Sequence, residues 1–127
     1  MYFTFNNASS RDFNIKIKKS NHLSIPKRKL EFIEVQGRTD NLIVDEGSRE
    51  MLDIEIEAYI DCKDLNTKAY ASMLDSWLNS ASNYSSLKFD DGTELKAIFV
   101  GQIDFNSITK NFEEILLQFK AYREGDL

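Results

Sequence analysis

At 127 residues, with 42% hydrophobic and 29% charged side chains, the chain has the size of one domain, residues 1–127, with enough apolar surface for a real core. No apolar run approaches the roughly 20 residues of a membrane span, and the opening Met1-Tyr2-Phe3-Thr4-Phe5-Asn6-Asn7 lacks the basic-then-apolar order of a secretory signal. The net charge of −5 argues against non-specific nucleic-acid binding, and the lone Cys62 excludes an internal disulfide framework and suits a reducing compartment.

Tyr2-Phe3-Thr4-Phe5 has the aromatic and β-branched content of a short strand, which Asn6 to Ser10 end with turn-forming residues. Asp12 to Lys18 predicts a second strand, with Phe13, Ile15 and Ile17 on one face. A polar connection follows. It holds the only proline, Pro26, and the only histidine, His22, between Lys18-Lys19 and Lys27-Arg28-Lys29. The bases predict a solvated surface or an interface edge, and His22 a loop residue with no second histidine to help it.

Leu30 to Val35 reads as a strand with one irregularity, the consecutive Phe32 and Ile33, for which a bulge or burial on both faces would account. Gly37 to Gly47, with Asp and Asn around the apolar centre Leu42-Ile43-Val44, predicts a projecting arm or loose hairpin. Loops of this length in compact domains are usually functional or disordered, and one carrying Leu, Ile and Val is poorly placed in water unless something covers it.

The clearest periodicity lies at Leu52 to Ile60. Leu52, Ile54, Ile56, Ala58 and Ile60 alternate with Asp53, Glu55, Glu57 and Tyr59, as a half-buried antiparallel strand requires. Asp61 to Leu65 is a polar exit and Asn66 a good N-cap. From Thr67 to Ala81 the residues Tyr70, Met73, Leu74, Trp77, Leu78 and Ala81 recur at steps of three and four, predicting an amphipathic helix packed on the sheet. Leu87-Lys88-Phe89, the turn Asp90-Asp91-Gly92-Thr93 and Glu94 to Val100 predict a hairpin, with a continuation past Gly101 to Phe105 and turn-rich breaks at Asn106-Ser107 and Lys110-Asn111. Phe112 to Ala121 is the last strand, in which Ile115, Leu117, Phe119 and Ala121 alternate.

The fold class that follows is mainly β (α+β): an antiparallel β-sandwich or open barrel of about seven strands, one α-helix packed on it before the final three, and a long projecting loop or hairpin. Its core is assigned to Leu52, Ile54, Ile56, Ile60, Tyr70, Met73, Leu74, Trp77, Leu78, Phe99, Leu117 and Phe119.

Three stretches in this order and spacing carry a resemblance. Ser10-Arg11-Asp12-Phe13-Asn14-Ile15, then Glu34-Val35-Gln36-Gly37-Arg38-Thr39-Asp40-Asn41-Leu42 with Asp45-Glu46-Gly47-Ser48, then a strand, a helix with Trp77-Leu78, and Leu87-Lys88-Phe89-Asp90-Asp91-Gly92 together resemble the amino-terminal domain of the distal tail protein of long-tailed, non-contractile phages. In that family the loop usually reads Val-Pro-Gly-Arg-x-Gly; here Gln36 replaces the proline and Asp40 the second glycine. The resemblance implies a β-sandwich with one helix, assembled as a ring of six copies around the tail channel. It also implies a structural virion protein of the tail tip, encoded by a phage or prophage and made in the bacterial host cytoplasm, which joins the tail tube protein to baseplate hub or fibre proteins. Members commonly continue into a second, carboxy-terminal domain.

A head-to-tail ring uses a heterologous interface, so an apolar arm from one copy can dock on a different surface of the next. That assigns Arg38, Leu42, Ile43 and Val44 as intersubunit contacts, with Arg38 suited to a bidentate bond to a carboxylate and Glu55 and Glu57 as further candidates. Enzymatic activity is not expected. A Ser–His–Asp or Cys–His arrangement would have to use His22 or Cys62, neither in a nucleophile-elbow setting, and no metal-ligand or phosphate-cradling pattern occurs, so no cofactor and no metal are assigned. No membrane contact and no direct sequence-specific nucleic-acid binding are expected. The alternative readings are a tail tube or tail-terminator-like ring protein, and a monomeric soluble binding domain whose long loop grips a peptide or carbohydrate.

Overall fold

Strand pairing begins at a two-residue turn. Asn6 and Asn7 both take positive φ, 49° and 66°, the backbone twist a two-residue hairpin loop demands, and so fold β1 (Phe3–Phe5) onto the short β2 (Ala8–Ser9). The computed structural model describes residues 1–61, 67–109 and 112–124, so the expected polar exit after Asp61, with Cys62 and the Asn66 cap, and the break at Lys110-Asn111 lie outside the described residues.

Where a strand over Asp12–Lys18 was expected, Ser10–Phe13 forms a 3-10 helix and β3 starts only at Ile15 (Ile15–Ser20). The cause is a capping box. Ser9 Oγ accepts the Arg11 N–H at 3.2 Å, Asp12 Oδ2 accepts the Ser9 N–H at 3.2 Å, and Asn14, left-handed at φ 56°, ends the turn. Phe13 therefore leaves the strand face. Its ring stacks on Trp77 at 4.2 Å instead.

The central pair is β6 (Leu52–Asp61) and β10 (Phe112–Tyr122), antiparallel with Ile115 opposite Ala58, Leu117 opposite Ile56 and Phe119 opposite Ile54. These inward residues are buried, and so are Leu52 and Ile60. The eight-stranded antiparallel sheet runs β2-β1-β7-β8-β10-β6-β3, with β7 at Ser85–Phe89 and β8 at Glu94–Phe99. β9 (Asn106–Thr109) pairs with the early part of β10, where Asn106-Ser107 had been expected to be a turn, so four strands and not three follow the helix. The expected continuation of β8 through Phe105 does not form; the strand ends at Phe99.

The sheet curls. In a flat sheet β1 and β10, three spacings apart, would be separated by about 14 Å; here the Phe5 and Phe119 rings meet edge to face at 5.0 Å. The edge strands β2 and β3 are tied by the five residues between Ser9 and Ile15, yet among the described residues no ladder joins them. The result is an open barrel rather than a closed one.

Helix α1 (Thr67–Leu78) closes over the aromatic side of this barrel, ending three residues earlier than the apolar stripe predicts. Tyr70, Leu74, Trp77 and Leu78 are buried, and Trp77 Nε1 donates to the Phe5 carbonyl at 2.7 Å. The Tyr70 hydroxyl donates to the Phe13 carbonyl. Met73, assigned to the core, is 53% exposed and is corrected to a surface residue: it sits on the edge of the stripe, over the groove between α1 and Phe13 rather than under the helix. Phe99, the remaining core assignment, is buried.

Candidate functional site

The chain between β3 and β6 leaves the barrel. Among the described residues β4 (Arg28–Ile33) and β5 (Leu42–Arg49) pair only with each other and form a separate two-stranded sheet. Residues 34–41 make its tip. The Arg38 N–H donates to the Val35 carbonyl at 3.1 Å, and Gly37 at φ 84° takes the third turn position, where a type II turn needs a positive φ. Gln36 fills the second position, the one at which proline also fits. Gly47, at φ 80°, lies in a bulge: Arg28 and Leu30 are two positions apart, while their partners Arg49 and Asp45 are four apart.

The ribbon is anchored at its base. The Glu50 N–H donates to the Lys27 carbonyl at 2.7 Å, Arg49 Nη1 donates to the Pro26 carbonyl at 3.2 Å, and Arg28 pairs with Asp45 at 3.7 Å.

Beyond its base, both faces of the ribbon are open. Phe32 lies opposite Ile43 on one face, and Ile33 opposite Leu42 with Glu31 opposite Val44 on the other. Leu42 is 46% exposed, Ile43 60% and Val44 38%; Phe32, Ile33 and Val35 are exposed as well. The pairing is continuous through Phe32 and Ile33, so neither expected explanation of their adjacency holds: there is no bulge between them and neither is buried. An isolated two-stranded ribbon is marginal in water, and the exposed apolar side chains on its two faces make it the candidate contact surface.

Arg38 makes its paired contact within the tip: Nε reaches Asp40 Oδ1 at 3.2 Å and Nη2 reaches Asp40 Oδ2 at 2.8 Å. The aspartate in place of the second glycine is the carboxylate that holds it. Glu55 and Glu57 stand apart from the ribbon on the outward face of β6, lining a shallow depression with Lys19 and Asn21. The structure thus brings Leu42, Ile43 and Val44 together, adds Phe32, Ile33 and Val35, and leaves Glu55 and Glu57 on another surface.

His22 does occupy a loop but is not solvated there. Its ring is 5% exposed and stacks on Phe89 at 3.8 Å, with Nδ1 2.9 Å from Ser20 Oγ and Nε2 2.7 Å from Asp91 Oδ2. This hydrogen bond, followed by those from the Thr93 backbone and hydroxyl, lowers the Asp91 carboxyl to about 2. Serine, histidine and aspartate here form a chain, but Ser20 Oγ also accepts the His22 N–H at 3.3 Å in a local turn, and Phe89 covers the ring. The arrangement works as a latch that fastens the segment leading into β4 to the β7–β8 turn. Among the described residues no group of three or more His, Cys, Asp or Glu side chains is placed to hold a metal ion, and no helix is long and apolar enough to cross a membrane.

The fold as a whole recurs in a solved structure. The chain shares its fold with the phage protein SPP1 Dit. The SPP1 Dit (gp 19.1) structure, described as a paradigm of the hub adsorption apparatus in phages that infect Gram-positive bacteria, aligns with a TM-score of 0.76 at 12% sequence identity. The alignment covers 98% of this chain and 50% of that one, so the chain spans half the length of SPP1 Dit. No family model and no curated protein matches the sequence.

Proposed function

We propose that this protein is a structural component of a phage or prophage tail tip, and that its β4–β5 ribbon joins copies of the chain into a ring, six in number, between the tail tube and the baseplate or fibre hub. The observation that carries this reading is the ribbon itself: a separate sheet, anchored at its base, with apolar side chains open on both faces. A chain gains nothing by holding such a surface in water unless another molecule covers it. The fold likeness to SPP1 Dit supports the tail-tip setting. Within this proposal, tail tube and hub proteins are the further partners, and the protein resides in the virion after synthesis in the host cytoplasm.

The role is one of assembly and not of chemistry. A heterologous contact that closes by rotation gives a ring, and one that does not close gives a filament. Negative-stain imaging of the concentrated protein tests the proposal: annular particles with sixfold symmetry are expected, and uniformly small globules would overturn it. Replacing residues 31–46 with a short Gly-Ser turn removes the ribbon and none of the barrel core, and should abolish the rings while leaving a folded monomer.

A further inference from the structure

Resting on the reading that copies of this chain associate through the ribbon, we infer that the surface receiving it is the open seam of the neighbouring barrel, between the 3-10 helix and the free edge of β3. The seam exists because the two edge strands are tied by chain but not by hydrogen bonds: among the described residues nothing pairs with the outer edge of β3. A free edge presents a row of unpaired backbone donors and acceptors, to which another chain can add.

The seam holds a depression of about 380 Å3 with an apolar floor of Met1, Ile15 and Ile17 and a rim of Asn14, the one acid Asp61 and the two bases Arg11 and Lys16, basic on balance. Lys18 occupies the extra position of a bulge in β3, and Lys19 follows it. Lysines and a bulge on an edge strand repel indiscriminate pairing with other apolar strands. They select for a partner that is both apolar and acidic.

The distal ribbon has that composition. Along residues 31–46 it carries five acidic side chains, Glu31, Glu34, Asp40, Asp45 and Glu46, against the single base Arg38. Asp40 is engaged by Arg38 and Asp45 by Arg28, whereas Glu31, Glu34 and Glu46 are exposed and among the described residues form no ion pair. Apolar centre meets apolar floor, and the acids fall against the basic rim. The surfaces differ, so the contact is heterologous and propagates around a ring.

A charge swap tests this, read as weight-average mass by sedimentation at high concentration. Arg11→Glu with Lys16→Glu should dissociate the assembly to monomer, and so should Glu31→Lys with Glu34→Lys and Glu46→Lys. An equimolar mixture of the two variants should recover hetero-association, because the reversed ribbon then meets the reversed seam. The cross-link follows on a Cys62→Ser background: Leu42→Cys protein mixed with Ile17→Cys protein should yield a mixed disulfide on mild oxidation. If ribbon replacement dissociates the wild-type assembly but the seam reversal leaves it intact and no mixed disulfide forms, the seam is not the receptor, while assembly through the ribbon stands. If the wild type is monomeric at every concentration and no mixed disulfide forms, the reading beneath the inference fails as well.

Discussion

The imidazole Nε2 of His22 lies 2.7 Å from Oδ2 of Asp91, across a sequence separation of 69 residues. The loop after β3 and the β7–β8 turn are thereby fastened together at the point where the backbone leaves the barrel for the ribbon. His22→Ala removes the hydrogen bonds and the stacking on Phe89 in one step, and should cost about 1–3 kcal/mol in urea denaturation. His22→Gln, which keeps a polar side chain but no ring to stack, should recover only part of that.

The same contact sets an acid limb. Because the Asp91 carboxyl is lowered from 3.8 to about 2 in the folded protein, chiefly by the His22 hydrogen bond, folding favours the ionised form. Its contribution to stability is present above the unfolded value near 4 and is lost as pH falls through about 2. Melting temperatures of the wild type and Asp91→Asn, followed from pH 5 to pH 2, should converge over that window. Parallel curves would show that the latch does not operate in solution.

Trp77 and Met73 share one helix stripe but not one fate. Trp77 is buried among Phe3, Phe5 and Phe13 and donates to the Phe5 carbonyl, so Trp77→Ala should cost about 3–5 kcal/mol. Met73→Ala, at an exposed position, should stay within about 0.5 kcal/mol. Equilibrium unfolding of the two variants separates the assignments.

The turn at Asn6-Asn7 depends on residues that accept a left-handed backbone. Asn7→Gly should be tolerated, while Asn7→Val, β-branched at φ 66°, should lose about 1–2 kcal/mol and loosen β1 from β2. Amide exchange at the residues of β1 reports the loosening.

Much of the barrel was legible in local pattern. Alternation from Leu52 to Ile60 and from Ile115 to Ala121 gives the central pair, and Asp90-Asp91-Gly92-Thr93 its hairpin, because each signal lies within one element. The failures have other sources. The 3-10 helix was signalled by Ser9 and Asp12 at capping-box spacing, which the apolar alternation of Phe13, Ile15 and Ile17 masked. Burial of His22 depends on Phe89 and Asp91, far away in sequence, and no local pattern encodes it. Phe32 and Ile33 read as a defect only if the strand must have a dry face; in a ribbon open on both sides, adjacent apolar residues simply face opposite partners.

The most direct measurement uses the ribbon's own side chains. Leu42→Asp with Ile43→Asp places charge on both faces without touching the barrel core, so at dilutions where both proteins are monomeric the barrel's thermal stability should change by no more than about 0.5 kcal/mol. Sedimentation of the wild type at high concentration should show a ring-sized species, and the double variant should sediment as a folded monomer. Unchanged assembly in the variant would contradict a role for the ribbon in joining copies of this protein.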